Sequence, residues 1–451
     1  MKQLLSDTAR RAIRYLEQRD QRSVAPKAEA VAGLNEFVEA LPEQPSDPEA
    51  VVDLLDRVAT PAVMNFSGGR FFGFVIGGAL PATLAANWLT NTWDQNAALH
   101  NVTPGMAVLE QVTLDWLIDL LGLPAGAGGA FVTGATVANF TALAAARNQI
   151  LRQAGWDVEG DGLIGGPPIT VLAGEEAHPT LLKSLGMLGL GRNRIARVPA
   201  DDQGRMRADA LPPISGPTIV CAQSGNLNTG AFDPVGQICR QVRPAGAWVH
   251  VDAAFGLWAA AASSLQDLAQ GMVEADSWAT DAHKMLNVPY DCGIALVRDP
   301  EPLQRAMAIT AEYRPTDANE RNPSDFTPEL SRRARGVEVW AALKSLGRTG
   351  LIDLVERLHH HARAFADQLQ AAGFEILNDV AYNQVLVSFG NPETTHAVIA
   401  AVQQDGTCWC GGTVWQGHTA MRISVCSWAT TQEDVDLSVA AIVRCARAAG
   451  A

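Results

Sequence analysis

An aspartate that closes a short apolar run, followed by a lysine 32 positions later, makes a pair with a defined chemical use. Ala247-Trp-Val-His-Val251 is of the buried-strand type and ends at Asp252, while Ser277-Trp-Ala-Thr280 is a weaker strand signal that delivers Asp281-Ala-His283-Lys284 to a loop. A lysine amine can hold an aldehyde cofactor as a Schiff base, and a carboxylate beneath a pyridine nitrogen keeps the ring protonated and electron-accepting. Pyridoxal 5'-phosphate chemistry needs both groups. Taken singly, Lys284 reads as a surface lysine and Asp252 as a turn or cap residue; together they are the candidate catalytic pair. In an open α/β sheet, ligands sit beyond the carboxyl ends of the strands, so both side chains are expected at one crevice.

The elements that must position this pair follow from punctuation. Residues 1–60 carry helical patterns separated by Pro26, Pro42, Pro45 and Pro48, which predicts an arm of short helices. Over residues 61–330, apolar strand runs alternate with helical segments, as in a mostly parallel sheet covered on both faces. Residues 331–451 begin with a long helical region and continue to strand-like runs at 384–389 and 421–425, which predicts a small α+β domain. Within the large domain, Gly128-Gly-Ala-Phe-Val-Thr133-Gly134-Ala135-Thr136 leads into a helical stretch at 137–148, a plausible cup for an anion at a helix start. Residues 71–89 are the most apolar stretch, but Gly73, Gly77, Gly78, Pro81, Thr83 and Asn87 interrupt it, so it reads as core and pocket lining rather than a membrane span.

His250-Val-Asp-Ala-Ala-Phe-Gly256 and Asp281-Ala-His-Lys-Met-Leu-Asn-Val-Pro-Tyr-Asp-Cys-Gly293 resemble the two signature segments of the group II pyridoxal-phosphate amino-acid decarboxylases, within the fold-type I, aspartate aminotransferase-like superfamily. The likeness runs from about Arg70 to the C-terminus. It implies an α/β large domain, a small C-terminal domain and an N-terminal arm that wraps a partner in a homodimer with shared sites. It also implies decarboxylation of a small-molecule amino acid through Lys284, with Asp252 at the ring nitrogen and His178 stacked on the ring. By the same resemblance Ala135 and Thr136 bind the phosphate with His283 in reach, Ala254 packs on the opposite ring face, and Asn226 stands beside the cofactor where a threonine is usual. Phe74, His100 and Thr103, with Phe72, fall in segments that line the family's substrate pocket. Arg422 matches an arginine that binds a substrate carboxylate in glutamate-type relatives, whereas Trp88, Trp93 and the phenylalanines allow an aromatic side chain. Arg332, Arg333 and Arg335 read as structural partners of acids.

Two further departures stand out. Val137 replaces a usual glutamate, and the stretch from Tyr313 to Arg333, polar and rich in Pro and Asn as a mobile loop is, lacks the family's proton-donating tyrosine, whose place falls near Pro323. Tyr313 is the substitute within that stretch, and it matches a structural position rather than the loop tip. Without that donor the same cofactor chemistry has an aldehyde, a transamination or a carbon–carbon bond outcome as alternatives, with decarboxylation the first reading. A cofactor-binding partner protein without turnover is the remaining alternative.

A net charge of -14 argues against nucleic-acid binding, and 47% hydrophobic content suits a large buried core. Seven cysteines without framework spacing point to reduced thiols and a cytoplasmic location, with no secretory leader or membrane segment expected. Cys408-Trp-Cys410 and His359-His-His361 lack metal-ligand spacing, so no metal site is expected.

Overall fold

The structure is a computed structural model that describes residues 1–309 and 320–451. A seven-stranded sheet carries the large unit. Its strands are β1 (Gly128–Val132), β2 (Thr170–Gly174), β3 (Ala196–Val198), β4 (Thr218–Gln223), β5 (Trp248–Asp252), β6 (Ser277–Asp281) and β7 (Gly293–Val297), in the order β1-β7-β6-β5-β4-β2-β3. Every residue of β4, β5, β6 and β7 is buried, which explains why these runs do not alternate apolar with exposed polar residues.

β7 alone runs against its neighbours, pairing antiparallel with both β6 and β1. The cause is local. A parallel return needs a crossover, usually a helix, but residues 282–292 between β6 and β7 form turns pinned by Ala282 N–H to Cys292 O at 3.0 Å and Asn287 N–H to Lys284 O at 3.0 Å. β7 therefore folds straight back, and Lys284 is held at the carboxyl edge of the sheet. The helix Ala135–Gln153 follows β1 and packs on the sheet through Ala138, Ala142, Ala145 and Ala146, all 0% exposed; their small side chains let helix and strands approach closely.

Compactness divides the chain differently from its punctuation. One unit gathers Ala79–His360 with Asn378–Gln384; the other gathers Met1–Gly78, His361–Leu377 and Val385–Ala451. Residues 331–360 join the large unit through a buried ion cluster: Arg332 Nη1 meets Glu110 Oε2 at 2.6 Å and Arg321 Nη1 meets Glu110 Oε1 at 3.2 Å. Residues 1–78 share a unit with the C-terminal strands, where Phe72 N–H donates to Trp409 O at 2.8 Å and Ser424 N–H donates to Phe72 O at 2.9 Å. That unit holds, but for Gln384, a four-stranded sheet of β8 (Glu375–Ile376), β9 (Gln384–Ser388), β10 (Gly411–Trp415) and β11 (His418–Ser424), in the order β10-β11-β9-β8. Gln416 (φ 47°) and Gly417 (φ 84°) turn the β10–β11 hairpin, the positive-φ pair that a two-residue hairpin turn demands.

The arm expected over residues 1–60 is helical, with Lys2–Glu17, Ala28–Gly33 and Pro48–Ala59. Arg11 ties the first helix to the last through Asp53 at 3.0 Å and Asp56 at 3.1 Å.

Candidate active site

β5 and β6 are parallel neighbours, with Asp252 opposite Ala279, so Asp252 and the loop after Asp281 leave the sheet at the same edge. Lys284 is held there by Asp281. Its Nζ lies 2.8 Å from Asp281 Oδ2, while Asp281 Oδ1 accepts the Ala135 N–H at 2.6 Å and faces His283 Nε2 at 3.4 Å. One carboxylate thus joins the lysine, the histidine and the start of a helix. The sequence signal for Asp281 is a carboxylate three residues before the lysine, at the end of a strand run.

The helix expected at 137–148 begins earlier, at Ala135, so Ala135 and Thr136 stand in its first turn. N–H groups there have no partner within the helix and carry the positive end of its dipole. The close approach that builds the cup requires glycine at 293: a Cβ there would lie 2.5 Å from the Gly134 Cα. His283 is 8% exposed, its Nδ1 accepts the Cys292 N–H at 3.1 Å, and Tyr290 stacks on it with ring centroids 4.3 Å apart. Burial lowers the His283 pKa, which favours the neutral ring with its proton on Nε2 toward Asp281.

Asp252 is 3% exposed, and its Oδ1 accepts the Ala254 N–H at 3.3 Å. Loss of water raises its pKa, opposed by His178, Lys284 and an amide of Asn139. A desolvated carboxylate of this kind calls for a cationic partner. His178 caps the helix Pro179–Met187, its Nδ1 accepting the Thr180 N–H at 3.2 Å, and it lines one cavity with Asp252, Gly174, Ala177 and Gln223.

The remaining expected residues are placed less uniformly. Ala254 lies at the same edge, its carbonyl accepting the Asp281 N–H at 2.9 Å. Asn226 is 2% exposed and turned into its own loop, its Oδ1 accepting the Asn228 N–H at 2.8 Å and the Thr229 N–H at 3.2 Å. Thr103 spends its hydroxyl on Leu99 O and Asn96 O at 3.2 and 3.3 Å, while His100 Nδ1 pairs with Glu320 Oε2 at 2.9 Å. Phe74 and Arg422 belong to the other compact unit. There Phe74 is 61% exposed and stacks on Trp409, and Arg422 is 8% exposed in β11, with burial lowering its pKa.

Tyr313 lies outside the described residues. The rest of the expected mobile stretch is anchored: Arg321 Nη2 donates to Gly129 O at 2.6 Å, Pro323 is buried in a short turn, and Arg332 Nη2 donates to Phe131 O at 2.7 Å. Residues 320–333 are thus part of the large unit's frame, because their arginines satisfy buried carbonyls as well as Glu110. Arg333 and Arg335 pair with Glu338 and Asp291, the structural role expected of them.

These residues fit a pyridoxal phosphate. The Ala135 N–H already holds an anionic oxygen, a desolvated carboxylate lies at the neighbouring strand end, and the Lys284 amine is held by the same Asp281 that meets the Ala135 N–H. Among the described residues no group of His, Cys, Asp and Glu could hold a metal ion.

The sequence profile of the pyridoxal-dependent decarboxylase conserved domain matches residues 33–390. Among curated proteins, the aromatic-L-amino-acid decarboxylase of Bacillus atrophaeus is 28% identical over 349 residues, 75% of this chain and 70% of that one. The acidic amino acid decarboxylase GADL1 of Xenopus tropicalis is 30% identical over 327 residues, 69% of this chain and 63% of that one. Among solved structures, Oryza sativa TDC with PLP and tryptamine superposes with a TM-score of 0.91 at 21% identity, covering 99% of this chain and 97% of that one. Mouse CSAD gives 0.90 at 24%, covering 98% of each chain.

Proposed function

We propose, from the premise that this chain belongs to the pyridoxal-dependent decarboxylase family, that it is an amino-acid decarboxylase whose cofactor is carried on Lys284. Bound in this site, pyridoxal 5'-phosphate supplies an electron sink for the bond that breaks at the substrate's alpha carbon. The protein's residues do the rest. Lys284 anchors the cofactor, Asp252 keeps a proton at the ring nitrogen, the first-turn N–H groups at Ala135 and Thr136 hold the phosphate with His283 beside them, and His178 and Ala254 cover the ring faces. The observation that carries this reading is the convergence of Lys284, Asp252 and the helix start at one sheet edge, with Lys284 fixed at 2.8 Å by Asp281.

In this reading His100, Thr103 and Tyr313, and separately Phe74 and Arg422 of the other unit, are the substrate-binding residues; Asn226 acts through its loop rather than by touching the cofactor. A cytoplasmic homodimer completes it. All seven cysteines are unpaired, which suits a reducing compartment, and the arm leaves Leu5, Ile13, Val51 and Leu55 more than half exposed or nearly so, as a surface awaiting a second copy does. No helix among the described residues is long and apolar enough to cross a membrane.

One observation favours a second outcome on the same cofactor: no tyrosine occurs in residues 320–333, so the usual proton donor is missing from that segment. The test is incubation of the cofactor-loaded protein with each of the twenty amino acids, with oxygen excluded and admitted, measuring carbon dioxide, amine, aldehyde and keto acid. Carbon dioxide with equal amine in both atmospheres is the expected result; aldehyde that requires oxygen, or keto acid without carbon dioxide, overturns simple decarboxylation.

A further inference from the structure

His250 and Asp252 are two apart on β5, so they project from the same face of the sheet. The helix Ala135–Gln153 packs on that strand, and one turn in from its start Asn139 reaches His250, with His250 Nε2 2.8 Å from Asn139 Oδ1. His250 Nδ1 lies 2.9 Å from Ser277 Oγ, which also accepts the Trp248 Nε1–H at 2.8 Å. Ser277, His250 and Asn139 are 0% exposed and Trp248 is 7% exposed.

The direction of donation follows from the amide oxygen. Asn139 Oδ1 can only accept, so the His250 proton sits on Nε2 and Nδ1 accepts. Ser277 then turns its hydrogen to His250 Nδ1 and accepts from Trp248 Nε1–H, which can only donate. The Asn139 amide is left on the other side, fully buried and without a hydrogen bond of ordinary length among the described residues. Its oxygen is on His250, which shares a sheet face with Asp252, and the amide draws the Asp252 pKa down as a nearby donor does. Burial holds His250 neutral, with a pKa lowered to about 3, so the imidazole passes on orientation rather than charge.

We propose that Asn139 is a positioning residue for Asp252: the relay Trp248 to Ser277 to His250 to Asn139 fixes the amide as a donor to the Asp252 carboxylate and so keeps the shared proton on the cofactor's ring nitrogen. The inference rests on the assignment of Asp252 to that nitrogen. Removing the donor raises the carboxylate's proton affinity and draws the proton from ring to carboxyl.

The test loads the full-length protein with pyridoxal phosphate labelled with nitrogen-15 in the ring and reads the nitrogen chemical shift, which separates protonated from neutral pyridine. In Asn139→Leu the signal moves toward the neutral position, and kcat falls about ten- to a hundredfold with KM little changed, the size of one hydrogen bond to a buried charge. His250→Leu moves the signal part of the way, because Asn139 is then free to turn. His250→Gln, whose side-chain amide can donate from nearly the same point as Nε2, restores it. A merely structural role would loosen all three variants and leave the shift in place.

Asp252→Asn separates the two layers of the claim. If it leaves the ring protonated, the Asp252 assignment fails; if it neutralises the ring but Asn139→Leu does not, the relay alone fails. Should Asn139→Leu not fold, the two His250 variants decide: equal shifts in both overturn the proposal.

Discussion

The deep end of this site and its mouth solve the problem of a charged group in different ways. At the deep end, Asp252, His250 and Asn139 are 3%, 0% and 0% exposed, and they sit on a strand and a helix where packing fixes each side chain. At the mouth, Lys284 keeps 21% of its side chain exposed, stands on a turn, and is held by an ion pair rather than by packing. Screening by water makes charge interactions weaker at the mouth and stronger within. The deep end is therefore a fixed electrostatic environment, and the mouth is where a covalent bond can be exchanged and a phosphate admitted.

Substitutions should obey this division. Lys284→Ala removes the one group with a covalent task, and carbon dioxide release should fall by ~10⁴-fold or more while the long-wavelength absorbance of the attached cofactor disappears. Asp252→Asn removes a buried charge that acts only electrostatically; kcat should fall by ~10²- to 10³-fold with the cofactor still attached, read by steady-state kinetics and absorbance. Asp281→Asn, which removes the buried carboxylate that holds the mouth's lysine, should act mainly on binding. It takes a negative charge away from the Ala135 N–H that the phosphate needs, so the cofactor should bind about tenfold more tightly, as measured by fluorescence titration, with kcat changed less than by Asp252→Asn. A larger loss of kcat from Asp281→Asn than from Asp252→Asn would erase the distinction between the two ends.

The smallest effect is on stability. The His250 pKa is lowered from 6.5 to about 3 by burial, so between those values the folded state binds fewer protons than the unfolded chain. Stability from this group is full above 6.5 and is lost as pH falls, at up to about 1.4 kcal/mol per pH unit. Asp233, raised by burial to about 7, slopes the other way, losing stability as pH rises from 3.8. The difference between wild type and His250→Gln in urea melts from pH 4 to 7 isolates the imidazole: the variant should lose less stability on acidification.

Sequence made one part of this site readable and hid another, for a physical reason. Asp252 could be placed because a continuous apolar run ending in a carboxylate marks a buried strand that stops at a ligand edge. Lys284 followed from spacing and from the pair's chemistry. Asn139 stayed hidden because a helix interior offers no punctuation, and which atom of an amide faces a carboxylate depends on partners 109 to 138 residues away in the chain, Trp248 and Ser277. Of the stretch 313–333, expected to be a mobile loop, residues 320–333 are anchored: polar, Pro-rich composition describes a loop that needs partners as well as one that lacks them, and Glu110 with the carbonyls of Ala97, Gly129 and Phe131 provides those partners from distant sequence.

The most direct measurement is borohydride reduction of the cofactor-loaded protein, followed by peptide mapping of the modified residue. The chain has five lysines, at 2, 27, 183, 284 and 344, so the assignment is unambiguous. The phosphopyridoxyl group should be found on Lys284 with one equivalent per chain; its recovery on Lys183 or Lys344, or its absence from a protein that still turns over an amino acid, would contradict the account.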